Sequence, residues 1–360
     1  MLLIISCQKY HFILFYHTLI LFRRCLLSKE EITTVSIVIT TFNEGENLDS
    51  LLRDISKQEV DGLKVEIILL EAGSYSEERA IYHLGDLGKY LKFIHAPNLS
   101  RTKSLNKLFE LSEGELIIRL DGRSHIASDY IKRIVELSSS TGSENVGGVM
   151  SPIGRTPDQQ LIADIMRHPF SFGGAKFRNH SYSGLVDSVY LGAFRKSICK
   201  FGSNWFDEVH PGISEDSDLN YRIRRNGGKV YMDSSIIVQY FPRENLSKFF
   251  KLCFNYGVGR GLFLCKYRTL TATRQIFPIA VVFLMLFLAA FGFYHVVFHY
   301  ILIGLFLIYG LLVGFFSLSL KKDLPFTIKA MIGFSGCHFF YSFGILLSPY
   351  YYIQNLRFAS

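Results

Sequence analysis

The chain has no Cys-x-x-Cys pair, no arginine-rich run and no glycine-rich phosphate loop near its first strand-like segment. Its six cysteines (Cys7, Cys25, Cys199, Cys253, Cys265, Cys337) show no metal-ligand spacing. They read as unpaired thiols of a reducing compartment. The net charge is +8, yet no nucleic-acid motif accompanies it. The excess is read instead as basic residues near a membrane surface and near a diphosphate, with no nucleic-acid partner. The missing phosphate loop counts against nucleotidyl transfer.

Polarity is distributed unevenly over the 360 residues. Residues 30 to 275 have the mixed composition of a soluble domain with ample core. Residues 277 to 353 are almost all Phe, Leu, Ile, Val, Gly, Tyr and Ala. A membrane-crossing helix needs about 20 mainly apolar residues. Phe277 to Phe298, Tyr300 to Leu320 and Ile328 to Leu347 each meet that length. Lys266, Arg268 and Arg274 precede the first stretch, and Lys321 and Lys322 follow the second. The positive-inside rule then places the soluble domain in the cytoplasm of an integral membrane protein. Met1 to Phe22 is apolar apart from Gln8, Lys9, His11 and His17, and Arg23 and Arg24 follow. Residues 1–30 are read as a membrane anchor. A signal peptide fits worse, for want of a small-residue cleavage site. A start codon placed too far upstream is the other reading.

The soluble part alternates strands and helices. Val35–Ile39, Val65–Leu70, Leu91–Ile94 and Leu116–Leu120 are apolar strand-like runs. Leu48, Leu51, Leu52 and Ile55 keep helical spacing, and Ser104–Leu111 and Asp129–Leu137 are further helices. This alternation predicts an α/β fold with a doubly wound, mostly parallel sheet. Each strand ends in a polar cluster: Asn43/Glu44, Glu71, Arg101/Lys103 and Asp121/Arg123. Ligands bind at that edge of open α/β sheets. Any one cluster has a plain alternative as an ordinary turn or cap; four at one edge do not. Later, Val189–Phe194 reads as a small-residue strand. Ser214-Glu215-Asp216-Ser-Asp218 opens a helix, with Ser214 as its N-cap. The acids of that helix can also be explained as partners of its dipole. Val230–Met232 begins an edge strand.

Taken in order, these pieces resemble the family-two inverting glycosyltransferases of GT-A fold, in the membrane-associated, succinoglycan-type exopolysaccharide branch. The residues carrying the resemblance are Ile39-Thr-Thr-Phe-Asn-Glu44, Glu71-Ala-Gly-Ser74, Ser104-Leu-Asn106, Ile118-Arg-Leu-Asp-Gly-Arg123, Leu191-Gly-Ala-Phe-Arg195, Ser214-Glu-Asp216 and Tyr256-Gly-Val-Gly-Arg260. It covers roughly residues 34 to 265.

The resemblance implies transfer of a hexose from a nucleotide sugar, read as a UDP-sugar, to a hydroxyl of a lipid-linked saccharide. Thr41, Asn43 and Glu44 would line the nucleotide pocket, and Glu71 stands where the family usually has a base-contacting Asp. Arg101 and Lys103 would face the diphosphate. Asp121 would be the metal ligand of an Asp-x-Asp motif holding Mg²⁺ or Mn²⁺, but Arg123 replaces the second acid and would itself neutralise the leaving group. Asp216 would be the general base and Glu215 its partner. Tyr190 to Phe194, with Gly192 and Ala193 among them, would form the acceptor floor, where Gly192 permits close approach, with Trp205 stacking on sugar or serving the core. The Gln-x-x-Arg-Trp motif of processive synthases is absent, which favours single addition. The expected layout is an anchor (1–30), a glycosyltransferase domain (31–265) and a membrane domain with about three helices (266–360). Two alternatives stay open: a polyprenyl-phosphate glycosyltransferase, and an inert sugar-nucleotide-binding module.

Overall fold

The computed structural model describes residues 31–172, 176–178, 180–197, 204–208, 214–269 and 276–359. The anchor segment 1–30 and the cysteines Cys7, Cys25 and Cys199 lie outside them. Cys253, Cys265 and Cys337 are free thiols.

The first half follows the predicted alternation. Strand β1 (Thr34–Thr41) leads into helix α1 (Glu46–Ile55) and β2 (Lys64–Glu71) into α2 (Glu77–Leu84). Strand β3 (Leu91–His95) precedes α3 (Arg101–Leu111), and β4 (Leu116–Asp121) and the two-residue β5 (Ser124–His125) precede α4 (Tyr130–Thr141). Strands β3-β2-β1-β4 pair in parallel, in that order. β1 is buried on both faces, as its β-branched run requires. Ile37 and Ile39 pack under α1 and α4, while Val38 packs under α3. Each helix turns its apolar stripe inward: Leu48, Leu51, Leu52 and Ile55 of α1 are fully buried. Burial of a side chain of that size contributes about 1.5–3 kcal/mol.

The second half turns the sheet mixed. Strand β6 (Asn145–Pro152) is followed by α5 (Pro157–Arg167), the short β7 (Gly184–Leu185), β8 (Tyr190–Arg195), α6 (Glu215–Arg225) and β9 (Val230–Tyr240). β8 inserts antiparallel between β4 and β6, and β6 pairs in parallel with β9. One expectation is corrected, and one strand was missed. β9 is 11 residues long and interior, with β6 on one side and β5 and β7 on the other, so Val230–Met232 does not open an edge strand. β6 carried no sequence signal because Gly147 and Gly148 interrupt it. They form a bulge where a Cβ on Gly148 would stand 2.1 Å from the Ile236 carbonyl.

Four more helices follow: α7 (Leu246–Tyr267), α8 (Ile276–Phe291), α9 (Val296–Ser319) and α10 (Leu324–Ala359). Among the described residues two helices, α9 and the Leu324–Gln354 part of α10, are long and apolar enough to cross a membrane. They contain the second and third predicted stretches. The first stretch is broken: α8 stops at Phe291 after 16 described residues, and α9 starts at Val296. α9 exposes Leu307, Leu311 and Phe315 on its outer side.

The apolar helices are fastened to the sheet domain through α7 and α10, which run side by side in the same direction. Glycines permit the contact. A Cβ on Gly257 would stand 2.0 Å from the Tyr341 carbonyl, and one on Gly344 2.2 Å from the Phe254 carbonyl. Such small-residue contacts are how helices approach closely in apolar surroundings. A third core of Leu161, Ile165, Phe249, Cys253, Phe334 and Cys337 seals the junction. Gly257→Val should therefore cost roughly 1–3 kcal/mol, read as thermal unfolding in detergent. Gly304→Val, where a Cβ meets nothing within 4 Å, should be near neutral; equal effects would show that the crossing is not tightly packed.

Candidate active site

β1, β2 and β4 end at one edge of the sheet, and α3 and α6 point their first turns at it. On β4, residues 119 and 121 share a face because side chains alternate. Arg119 is buried, and its Nη2 donates to Glu215 Oε1 at 2.9 Å. Arg101, in the first turn of α3, donates from Nη2 to both oxygens of Asp121 at 2.9 Å each, and from Nε to Glu215 Oε1 at 3.2 Å. Two guanidiniums and two carboxylates thus form one cluster joining α3, β4 and α6. Burial pushes both acids up, but Arg101 and Arg119 outweigh it and hold Asp121 and Glu215 below their ordinary pKa.

Asp216 differs. Its carboxylate has no side-chain hydrogen bond or ion pair among the described residues, and it lines the cavity. Burial and the neighbouring Glu215 charge raise its pKa, against the opposing pull of Arg119, the Ser217 N–H and Arg260. The result is a carboxylate of raised basicity beside an acid that stays ionised. Ser214 precedes the helix in a left-handed conformation (φ 59°) and makes no side-chain cap, contrary to the sequence reading. The acids of α6 answer to arginines and a lysine rather than to the helix dipole alone: Asp218 accepts from Lys266, Arg222 and Tyr267.

Arg123 is drawn aside. It bridges Glu44 and Glu244, at 2.9 Å from each. Glu71 is fully buried and accepts from Thr41 Oγ1, the Asn43 N–H and the Gly73 N–H. Asn43, at φ 53°, accepts in turn from Ser74. These two shape the β1 and β2 loops from behind.

One cavity of about 1060 Å³ takes in this edge. Thr41, Glu44, Arg101, Asp121, Arg123, Gly192, Glu215 and Asp216 line it. Asn43, Glu71, Lys103, Ala193 and Trp205 are not among its lining residues. Lys103 is exposed on the outer side of α3, where only its N–H is used, by the Ser100 cap. Trp205 is buried against Phe109 in the core beneath β8, which excludes it as a sugar-stacking platform. Ala193 is fully buried. Gly192 has no room for a side chain: a Cβ would stand 2.5 Å from Asn145 Oδ1. The cavity also takes in Tyr190, expected in the acceptor floor, and Arg119, Tyr240, Arg243 and Arg260, none of which was assigned a site role from sequence. The usable signal for Arg119 was a charge inside an otherwise apolar strand, which needs a buried partner.

The residues do not fit a divalent ion as they stand. Both oxygens of Asp121 are taken by Arg101, Glu215 is taken by Arg101 and Arg119, and an arginine holds the second motif position. No group of three metal-ligating side chains occurs among the described residues.

Comparison with known proteins gives the following. The Glycosyl transferase family 2 model matches residues 36–201. The succinoglycan biosynthesis protein ExoA of Rhizobium meliloti (strain 1021) is 26% identical over 260 residues, 71% of this chain and 78% of that protein. A dolichyl N-acetyl-alpha-D-glucosaminyl phosphate 3-beta-D-2,3-diacetamido-2,3-dideoxy-beta-D-glucuronosyltransferase of Methanococcus voltae is 23% identical, over 64% of this chain and 74% of that protein. Among solved structures, S. aureus TarS 1-349 in complex with UDP-GlcNAc matches with TM-score 0.46 and 14% identity, over 63% of this chain and 66% of that one. GalNAc-T7 with UDP, GalNAc and Mn²⁺ matches with TM-score 0.47 and 15% identity, over 65% of this chain and 48% of that one.

The charge cluster yields a stability test. Arg119→Met leaves Glu215 buried beside a single guanidinium and should cost about 3–5 kcal/mol. Adding Glu215→Gln should recover part of that loss. Strictly additive losses in chemical unfolding would show that the pair is not coupled.

Proposed function

The chain carries a family 2 glycosyltransferase domain of the GT-A type, akin to those of exopolysaccharide assembly, and on that premise we propose that it transfers a hexose, with inversion, from a nucleotide sugar to a hydroxyl of a lipid-linked saccharide. One observation carries the reading: Asp216 lines the cavity with a carboxylate of raised basicity that no side chain pairs among the described residues, next to acids already held by arginine.

The acceptor hydroxyl gives its proton to Asp216 as its oxygen attacks the anomeric carbon. The bond from that carbon to the nucleotide diphosphate breaks on the opposite face. Arg101, Arg119 and Arg123 supply the positive charge for the departing diphosphate. Thr41 and Glu44 border the nucleotide, Asn43 and Glu71 fix the loop beneath it, and Glu215 orients the cluster. Gly192 lets the acceptor approach β8. UDP is the nucleotide read from the resemblance.

The catalytic domain is assigned to residues 31–265 and the membrane region to 266–360, with the catalytic domain on the cytoplasmic face of the cell membrane. The ion pair Lys329–Asp158 supports that arrangement, because it holds the start of α10, close to Lys321 and Lys322, against the catalytic domain.

Asp216→Asn should reduce transfer by orders of magnitude, on the order of 10²–10⁴, with nucleotide binding changed only slightly. The product anomer, read by NMR, should be inverted. Because Asp216 must be ionised and its pKa is raised, turnover should fall as pH drops through a value above the ordinary aspartate range of about 4. Near-normal turnover in the variant would exclude Asp216 as base. A phosphate acceptor, which has no proton to surrender near neutral pH, would also be indifferent to this change, so the variant separates the polyprenyl-phosphate reading from the hydroxyl reading.

With arginines where metal ligands would stand, calorimetric affinity for UDP should change by less than about tenfold between Mn²⁺ and chelator. A larger loss in chelator would show that a divalent ion displaces Arg101 from Asp121.

A further inference from the structure

Two buried nucleophiles take no part in the transfer chemistry. Cys253 of α7 and Cys337 of α10 are free thiols, 0% and 1% exposed, in the core that seals the junction of the two helices. Their side chains are in hydrogen-bond contact with each other. Cys253 stands one turn before Gly257, and Cys337 one turn before Tyr341. The contact of Gly257 with the Tyr341 carbonyl is followed one turn later by that of Gly261 with the Ile345 carbonyl. Helices whose backbones touch in this way can bring Cα atoms within the roughly 4.4–6.8 Å that a disulfide needs.

Thiols that merely filled the core would have apolar neighbours alone. This pair has a cation beside it. Arg178 acts electrostatically on both thiols. Its Nη1 donates to the Met166 carbonyl at 2.7 Å, and its guanidinium lies 4.1 Å from the centre of the Phe172 ring, so it is held there. Burial and the contact with Cys337 push the Cys253 thiol up, and Arg178 opposes them. A guanidinium favours the thiolate, which is the reactive form. The pair is also not sealed off, because Cys337 and Arg178 line the cavity. A small apolar oxidant that enters the cavity meets the Cys337 sulfur first.

We propose that Cys253 and Cys337 are a redox latch: a reversible disulfide between them joins α10 to α7 and slows turnover. The oxidant class is an apolar hydroperoxide. The Cys337 thiolate attacks the terminal oxygen of the O–O bond, the alcohol leaves with the thiol proton, and a sulfenic acid forms. The Cys253 thiol then condenses with that sulfenic acid and water leaves. Two thiols and one hydroperoxide thus give one disulfide, one alcohol and one water. A thiol reductant reverses the bond by exchange. In a reducing compartment such a bond is transient and suits control rather than permanent support. Asn255 and Tyr256 of α7 and His338 and Tyr341 of α10 wall the cavity. Joining the helices fixes that wall at one spacing, which slows ligand entry and release. Only the effect on turnover rests on the transfer reading above; the latch itself does not.

The full chain in lipid nanodiscs is treated with cumene hydroperoxide and mapped by peptide mass spectrometry. A Cys253–Cys337 cross-linked peptide should appear and vanish with dithiothreitol. Cys265, which is only partly buried, reports that the oxidant was active. The oxidised protein should unfold about 4 °C or more higher, and Cys253→Ser should abolish both the cross-link and the shift. Arg178→Gln should slow cross-linking about tenfold, while Arg178→Lys, which keeps the charge, should restore it. Turnover should be at least about threefold lower in the oxidised protein, recover with dithiothreitol, and not respond to oxidant in Cys253→Ser. Both thiols recovered intact while Cys265 is oxidised would overturn the proposal, as would a cross-link that leaves turnover unchanged. A cross-link and melting shift with no transfer in either redox state would count against the transfer reading instead, the latch being established by the peptide map.

Discussion

Arg119 is the residue on which the site depends. It stands in a strand whose apolar residues belong to the core, and it is itself buried at the wall of the cavity. Such a group is tolerable only with carboxylates at hand. Glu215 and Asp121 provide them, and Arg101 closes the cluster from α3. The pairing does more than satisfy charge. It fixes the first turn of α6 against β4, and so decides where Asp216, one residue further on, presents its carboxylate. The neighbouring acids are neutralised, while Asp216 is left with the desolvation and with the residual repulsion of Glu215. A base of raised pKa follows from that arrangement without any special partner.

Much of this was legible in the sequence, for identifiable reasons. The strands β1, β2 and β4 are mostly apolar runs rich in Val, Ile and Leu, and α1 keeps a strict apolar stripe, so the residue pattern located them. The polar residues at their carboxyl ends could be collected at one edge because parallel strands end together. What was not legible depended on pairing across distant segments. Lys103 lies only two residues from Arg101, yet the α3 turn sends one side chain to Asp121 and the other to solvent. Trp205 is rare and aromatic, which suited sugar stacking equally well, but Phe109 claims it for the core. β6 was hidden by the Gly147–Gly148 bulge, and with it the insertion of β8 that makes the sheet mixed. Arg119 was visible as an anomaly in an apolar strand, but its closest partner, Glu215, sits 96 residues away on α6.

The arginine in the second motif position is coherent with the rest of the edge rather than an isolated loss. Removing an acid and adding a cation shifts the local balance by two charges. The structure accommodates that by bringing Glu44 and Glu244 to Arg123 from two different loops. Arg101 then occupies the carboxylate that remains. The edge thus carries several guanidinium groups, each oriented by an acid.

The glycines of α7 and α10 complete the argument. Gly257, Gly261 and Gly344 let the two helices approach until backbone meets backbone. With larger side chains there, α10 would stand off, and the wall supplied by His338, Tyr341 and Ser342 would leave the cavity. The close crossing therefore has two consequences at once. It anchors the apolar helices to the sheet domain, and it makes those helices part of the site. Residues of these helices and Asp216 line one continuous cavity. Burial is the largest contributor to the raised pKa of Asp216.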